Sequence, residues 1–306
     1  MPTTTVLKYV RVIAAGVMLW AATATVVSGA AGIDTVATGL HFPEGVIFVG
    51  NTPYFVDYVT SNVLRIAGGK VEQVWHEDGC GANGLVALHG ELLVACYDSG
   101  TIVRLTIAGQ VRETVRHDES GGIFVSPNDL ADDGAGGVYF TASGNGSVPG
   151  KIYYRDPLGR VKEVAGDIDY ANGLAVSNDQ KLLYVAESRK HRLLKFTIGT
   201  DGELSGRAEF ANLAVILADR DHDVFTPDGL RIDKRGRLFV ALYDGGGFAV
   251  LAEDGKLIKK IDLPAAHHAS LAIAPDGKSL YLTATDDMPD GSYRGEILKV
   301  DNPLSD

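Results

Sequence analysis

Five oxygen-bearing side chains recur along the chain in one local setting. Glu44, Asn83, Asn128, Asn172 and Asp228 each stand two residues ahead of an aliphatic residue that opens an apolar run: Val46, Leu85, Leu130, Leu174 and Leu230. All five offer hard oxygen donors and none offers sulfur or imidazole, a chemistry that suits Ca2+ and argues against zinc. Two carboxylates roughly balance a divalent cation, and the amides add ligands without adding charge. An ion held this way keeps open positions, from which it can polarise a carbonyl or phosphoryl oxygen and help activate water. Any one of the five alone reads most simply as a turn residue, because Asn and Asp are favoured in loops before strands. Five at corresponding positions ask for a common explanation.

The explanation lies in the spacing. The five polar residues follow one another at intervals of 39, 45, 44 and 56 residues, and a degenerate sixth copy at Ala269 and Leu271 comes 41 residues later. Strand-like units at periods of roughly 40 to 50 residues indicate propeller blades. Each unit carries a second apolar strand after a polar turn, such as Leu92-Leu93-Val94 or Leu238-Phe239-Val240. Its aromatic and β-branched residues are strand chemistry. Outer strands, such as Arg160-Val161-Lys162-Glu163-Val164, alternate polar and apolar residues as half-exposed strands do. The sixth unit ends after its third strand, Glu296-Ile297-Leu298-Lys299-Val300, and residues 33–38 have the composition to supply the fourth. The expected fold is all-β: a six-bladed β-propeller of four-stranded antiparallel blades, closed by an N-terminal strand that protects the sheet edges. Residues 31–306 would form this single domain, with residues 212–223 a loop carrying one helical turn. In such a ring the inner strands start at one mouth of the central channel, so the five polar residues should converge there. Tyr58, Tyr97, Glu187 and Tyr243, at the ends of second strands, should lie nearby as substrate contacts or packing.

The remaining features bound the setting. Residues 1–30 read as a signal peptide: Lys8 and Arg11 form a positive start, residues 12–22 an apolar stretch, and Ser28-Gly29-Ala30 a small-residue cleavage site. The apolar stretch is short for a membrane span, so a secreted or periplasmic protein without a membrane partner is expected. Removing Lys8 and Arg11 takes the net charge from −11 to −13, which argues against nucleic acid and anionic membranes as partners. Cys80 and Cys96 flank a predicted hairpin, and an oxidising compartment would let them pair; two buried free thiols are the alternative. The run Gly79 to Gly84 matches a dinucleotide-binding glycine pattern but opens no helix. Asp219, Asp221 and Asp223 begin like a calcium-binding loop but lack its glycine and terminal glutamate. Neither a Gly-x-Ser-x-Gly elbow nor a His-Glu-x-x-His pair occurs.

The segments Phe42-Pro43-Glu44-Gly45, Ser126-Pro127-Asn128-Asp129-Leu130, Ala171-Asn172-Gly173-Leu174 and Thr226-Pro227-Asp228-Gly229-Leu230, in this order, resemble the SMP-30/gluconolactonase family of six-bladed, metal-dependent lactonases. The resemblance implies that Glu44, Asn172 and Asp228 hold a divalent cation, with Asn128 contacting the ion, directly or through water, or the substrate. It implies that Asp228 is also the general base or its positioner, and gives Asn83 a place beside the substrate. Ca2+ is the expected ion, with Mg2+, Mn2+ or Zn2+ also compatible with the family. The chain departs from many members at Ser126, at Ala142-Ser143 and at Ala269-Ser270, which leaves the metal set intact and the substrate open. His268, beside the sixth inner strand, is a candidate to bind substrate or move a proton, with a loop histidine as the alternative. Tyr97 and Tyr243 are further candidate substrate contacts. The expected function is hydrolysis of a sugar lactone or similar cyclic ester, with Asp228 and Asn128 as catalytic residues. A phosphotriesterase or arylesterase of the same fold, and a non-catalytic propeller plugged by its ion, are the alternatives.

Overall fold

A computed structural model describes residues 32–218 and 225–305. The signal-peptide expectation at residues 1–30 and the acidic run from Asp219 to Asp223 lie outside the described residues. Six four-stranded antiparallel sheets make up the ring. Five are built from consecutive strands, and their inner strands are Pro43–Val49, Ala82–Leu88, Pro127–Asp132, Ala171–Val176 and Pro227–Ile232, here blades 1 to 5. Blade 6 joins Leu271–Ile273, Ser279–Asp287 and Tyr293–Asp301 to the N-terminal strand Ile33–Leu40. That strand pairs as the composition of residues 33–38 suggests, with Ile33 opposite Val300 and Ala37 opposite Ile297. The first and last strands of the described residues thus share one sheet, and the ring has no free edge there. Among the described residues the α-helix is a single turn, Leu213–Ile216, whose first turn is capped by Asn212 accepting from the Val215 N–H at 3.2 Å.

The core is divided between the blades. Tyr54, Val56 and Val63 of blade 1 pack on Leu85, Leu92 and Val94 of blade 2, and comparable wedges fill the other junctions. Second strands are largely buried, wholly so in Leu238–Leu242, while outermost strands such as Lys70–His76 are mostly exposed.

Two local devices at the axis position the site. First, the pairing of inner and second strands is interrupted in the same place in blades 1 to 5: after Glu44, between Ala82 and Gly84, between Pro127 and Leu130, between Ala171 and Leu174, and between Pro227 and Leu230. An interrupted register frees a side chain from the pleat and re-aims it. Secondly, the residue after the polar one is glycine in four blades because the next blade's backbone stands against it. A Cβ on Gly84 would lie 2.1 Å from the Asn128 carbonyl oxygen, and one on Gly173 would lie 2.1 Å from that of Asp228. Gly45 and Gly229 meet the carbonyls of Asn83 and Ala269 at 2.7 and 2.9 Å in the same way.

Cys80 and Cys96 are joined in a disulfide across the base of blade 2, with both residues fully buried in the wedge against blade 1. It closes a loop of 16 residues, for which the chain-entropy treatment gives about 3 kcal/mol. Replacing both cysteines by serine should lower the urea midpoint by an amount corresponding to about 2–4 kcal/mol; an unchanged midpoint would show that the bond does not constrain the unfolded chain.

Candidate metal centre

The inner strands bring Glu44, Asn83, Asn128, Asn172 and Asp228 to the floor of one cavity of about 600 Å3 at the channel mouth. Five blades deliver one residue each. Glu44, Asn128 and Asn172 are buried, at 7, 5 and 4% exposure, while Asn83 and Asp228 keep part of their surface open to the cavity.

The orientation of Asn172 is fixed from behind. Its Nδ2 donates to Ser188 Oγ at 3.1 Å, and that hydroxyl donates to the Pro227 carbonyl oxygen at 2.6 Å. The amide nitrogen therefore faces blade 5, and Asn172 Oδ1 is left buried with no partner in the protein. A buried acceptor without a donor is unfavourable unless something supplies positive charge. The carboxyls show the same deficit. Burial pushes Glu44 well above the usual carboxylate range, and the negative charges of Asp228 and Asp129 push it further. Burial and then Asp129 do the same to Asp228, with the Asn172 amide pulling back. Among the described residues no cluster of three or more His, Cys, Asp or Glu side chains forms a metal site, so a cation held here would need the amide oxygens. Two carboxylates, a naked amide oxygen and the Asn128 amide fit a hard divalent cation, and Glu44, Asn172, Asp228 and Asn128 are the residues that would hold it.

Beneath this set lies an ion pair. Arg231, three residues beyond Asp228, donates to the Leu230 carbonyl at 2.7 Å and to the Val46 carbonyl at 3.3 Å, and its guanidinium meets Asp129 Oδ2 at 3.4 Å. Blades 5, 1 and 3 are thereby tied across the channel below the candidate ligands. Sequence reasoning passed over both partners. The available signal was a charged residue inside the apolar stretch Leu230-Arg231-Ile232 of an inner strand.

Above the floor the wall is aromatic. Tyr97 and Tyr243 line it, as do Tyr58, Phe42 and, unforeseen from the sequence, Tyr170 and Tyr293. The Tyr97 and Tyr170 hydroxyls are 3.2 Å apart, linking blades 2 and 4 over the cavity. Tyr170 has φ +65°, a left-handed conformation uncommon for a side chain of this size, and sequence carries no clear signal for it. Two expected rim residues sit elsewhere. His268 is fully buried, lies outside the cavity lining, holds Thr283 O at 3.0 Å through Nδ1, and is driven by burial down to about 4. Successive side chains of an extended segment point to opposite sides, and His267 is the one that stacks on Tyr243, at 4.4 Å. Glu187 is also fully buried; it binds Arg192 Nε at 2.6 Å and accepts the Asp169 N–H at 2.9 Å, which holds the loop carrying Tyr170.

A six-bladed ring with oxygen donors on its axis at one open mouth defines a class of propellers built to carry a polar axial site. Within that class the match is specific: the family model described as SMP-30/Gluconolactonase/LRE-like region covers residues 42–286, and the chain belongs to this family. It is similar to a gluconolactonase of Zymomonas mobilis, 28% identical over 288 residues, covering 83% of this chain and 79% of that protein. A pentonolactonase of Haloferax volcanii is 27% identical over 202 residues, 65% of this chain and 66% of its own. An uncharacterized protein of Sulfolobus acidocaldarius is 32% identical over 147 residues, 47% of this chain; the alignment spans about half of that relative, 51%. Among solved structures, the fold is shared with a gluconolactonase of Xanthomonas campestris, with TM-score 0.71, 23% identity, 87% of this chain and 89% of that one. It is shared also with a calcium-binding regucalcin of Agrobacterium tumefaciens, with TM-score 0.68, 18% identity, and coverage of 87% and 94%.

Two outcomes follow from the charges at the axis. Arg231→Met leaves the Asp129 carboxylate buried without a partner and should destabilise the fold by about 3 kcal/mol, most of which the added change Asp129→Asn restores; equal losses in the single and double variants would dismiss the pair. The second concerns pH. Because Glu44 and Asp228 titrate above their unfolded values, the stability linked to their protonation is complete below the ordinary carboxylate range and is lost as pH rises through the raised values. Metal-depleted protein should therefore melt at progressively lower temperature as pH rises above the ordinary carboxylate range, and the double change Glu44→Gln, Asp228→Asn should flatten that slope. A slope that survives both substitutions would assign it to other groups.

Proposed function

We propose that this protein is a secreted or periplasmic hydrolase that opens a lactone ring with the help of one divalent cation, Ca2+ first among the candidates. Support comes from the family, from relatives that carry lactonase names, and above all from the buried, unpartnered Asn172 Oδ1 beside two uncompensated carboxyls at the cavity floor. The leader-like segment at residues 1–30 and the paired cysteines favour the exported setting.

A cation bound by Glu44, Asn172, Asp228 and Asn128 would supply Lewis-acid polarisation of the ester carbonyl. The chain's own groups supply the rest. Asp228 faces the cavity and accepts the proton of the attacking water as the new carbon–oxygen bond forms. Its buried surroundings favour taking up that proton. Breaking the ring carbon–oxygen bond releases an alkoxide, to which the same proton can return, leaving an open-chain hydroxy acid. Asn128 and Asn83 hold the substrate's polar edge, and the aromatic wall limits access of bulk water. The phosphotriesterase alternative leaned on His268, and that ring lies outside the cavity.

The test is metal-depleted protein resupplied with Ca2+, Mg2+, Mn2+ or Zn2+ and assayed on glucono-, galactono- and γ-butyrolactone. Ring opening should depend on the cation, and Asp228→Ala should lower kcat by about a hundredfold or more. Undiminished turnover in that variant or in chelated protein would remove the assigned roles. A cation-dependent rise in melting temperature with no hydrolysis of any lactone would instead support the plugged, non-catalytic propeller.

A further inference from the structure

From the wall of the cavity we infer that the preferred substrate is a lactone bearing an apolar substituent, an aryl group or an alkyl chain, and not a polyhydroxylated sugar lactone. This rests on the hydrolytic reading of the same site. Five blades contribute aromatic side chains to the wall: Phe42 and Tyr58 from blade 1, Tyr97 from blade 2, Tyr170 from blade 4, Tyr243 from blade 5 and Tyr293 from blade 6. They form a continuous surface. Tyr293 meets Phe42 edge to face at 4.9 Å, Phe42 meets Tyr58 at 6.0 Å and Tyr243 at 6.2 Å, and Tyr58 meets Tyr97 at 6.1 Å.

Several polar atoms of this wall are already engaged, and the charged or polar groups Arg189, His191 and Asp244 lie among the rings. Tyr58 donates its hydroxyl to Asp98 at 2.9 Å, and the Tyr97 and Tyr170 hydroxyls bond each other. Thr226 Oγ1 donates to Asp244 at 2.8 Å, and Ser188 Oγ donates to the Pro227 carbonyl. Where a polyol lay against the ring faces, its hydroxyls would meet tyrosine and threonine hydroxyls already bonded elsewhere, and each one left unpaired there would weaken binding. Ring faces and edges impose no such penalty on an apolar group. The volume agrees. About 600 Å3 is the space of a drug-sized ligand, well beyond what a bare five- or six-membered lactone fills. The polar floor then takes the ester group and the aromatic wall takes the substituent.

The experiment compares γ-phenyl-γ-butyrolactone and γ-nonalactone with γ-butyrolactone and glucono-1,5-lactone on the cation-loaded protein. It also measures by calorimetry the binding of γ-phenyl-γ-butyrolactam, which the enzyme should not open. The substituted lactones should exceed the other two in kcat/KM by about tenfold or more. The phenyl lactam should bind about tenfold more tightly than unsubstituted γ-butyrolactam. Tyr243→Ala should reduce both preferences severalfold. A higher kcat/KM for glucono-1,5-lactone, or equal binding of the two lactams, overturns the inference. If no lactone is opened, the hydrolytic reading fails, and the lactam binding still decides the question of the wall.

Discussion

The site depends on the close approach of neighbouring backbones at the axis. Where blade 1 meets blade 2, blade 2 meets blade 3, blade 4 meets blade 5 and blade 5 meets blade 6, a glycine lies under the carbonyl of the next blade's axial residue, with no room for a Cβ. Such proximity allows side chains as short as Asn and Asp to reach a common point from separate blades. The two junctions that lack glycine solve the same problem with side-chain bonds. The Val46 N–H donates to Ser270 Oγ at 3.2 Å where blade 6 meets blade 1, and Ser143 Oγ donates to the Ala171 carbonyl oxygen at 2.8 Å where blade 3 meets blade 4. A ring drawn this tight has little freedom to spread, and preorganisation of that kind is what a multi-ligand site requires.

Electrostatics at the axis point to the same ligand as the geometry. Glu44, Asp228 and Asp129 place three carboxyls in one buried column, against the single guanidinium of Arg231. With all of them ionised the column carries two uncompensated negative charges, the complement of one divalent cation. Without such a cation the column relieves itself by protonation, the direction in which burial and repulsion drive Glu44 and Asp228. Asp129 is raised by burial too, but Arg231 pulls it back, so the layer below the candidate ligands stays an ion pair.

The legible part of the sequence was the part that repeats. Six copies of one strand pattern made the ring, its closure by residues 33–38 and the convergence of five polar residues readable from spacing alone, because position in a blade fixes position around the axis. What broke the repeat was hidden. Arg231 has no counterpart in other blades, and nothing in Leu230-Arg231-Ile232 says that a long side chain turns across the channel to Asp129. Tyr170 reaches the wall because its backbone turns left-handed above a loop held by Glu187, a contact between distant side chains and the main chain that no local pattern announces. His268 failed for the opposite reason. Its place beside the sixth inner strand was correct, but one residue of register separates the face of the cavity from the interior, and the degenerate sixth copy leaves that register undetermined.

This division between repeat and exception also separates the two tasks of the cavity. The floor is held by main-chain constraints: interrupted strand registers, carbonyls packed on glycine, and an amide fixed through Ser188 to the Pro227 carbonyl. Changing any of these disturbs a neighbouring blade, so the floor tolerates little variation and suits a reaction that many substrates share. The wall is different. Its rings stand at the ends of second strands or in the loops between blades, and they touch one another mainly through ring contacts and a few hydroxyl bonds. Substituting one alters the shape offered to a substrate without pulling on the axis. A propeller of this construction can therefore keep its axial chemistry fixed while the shape of its cavity wall changes.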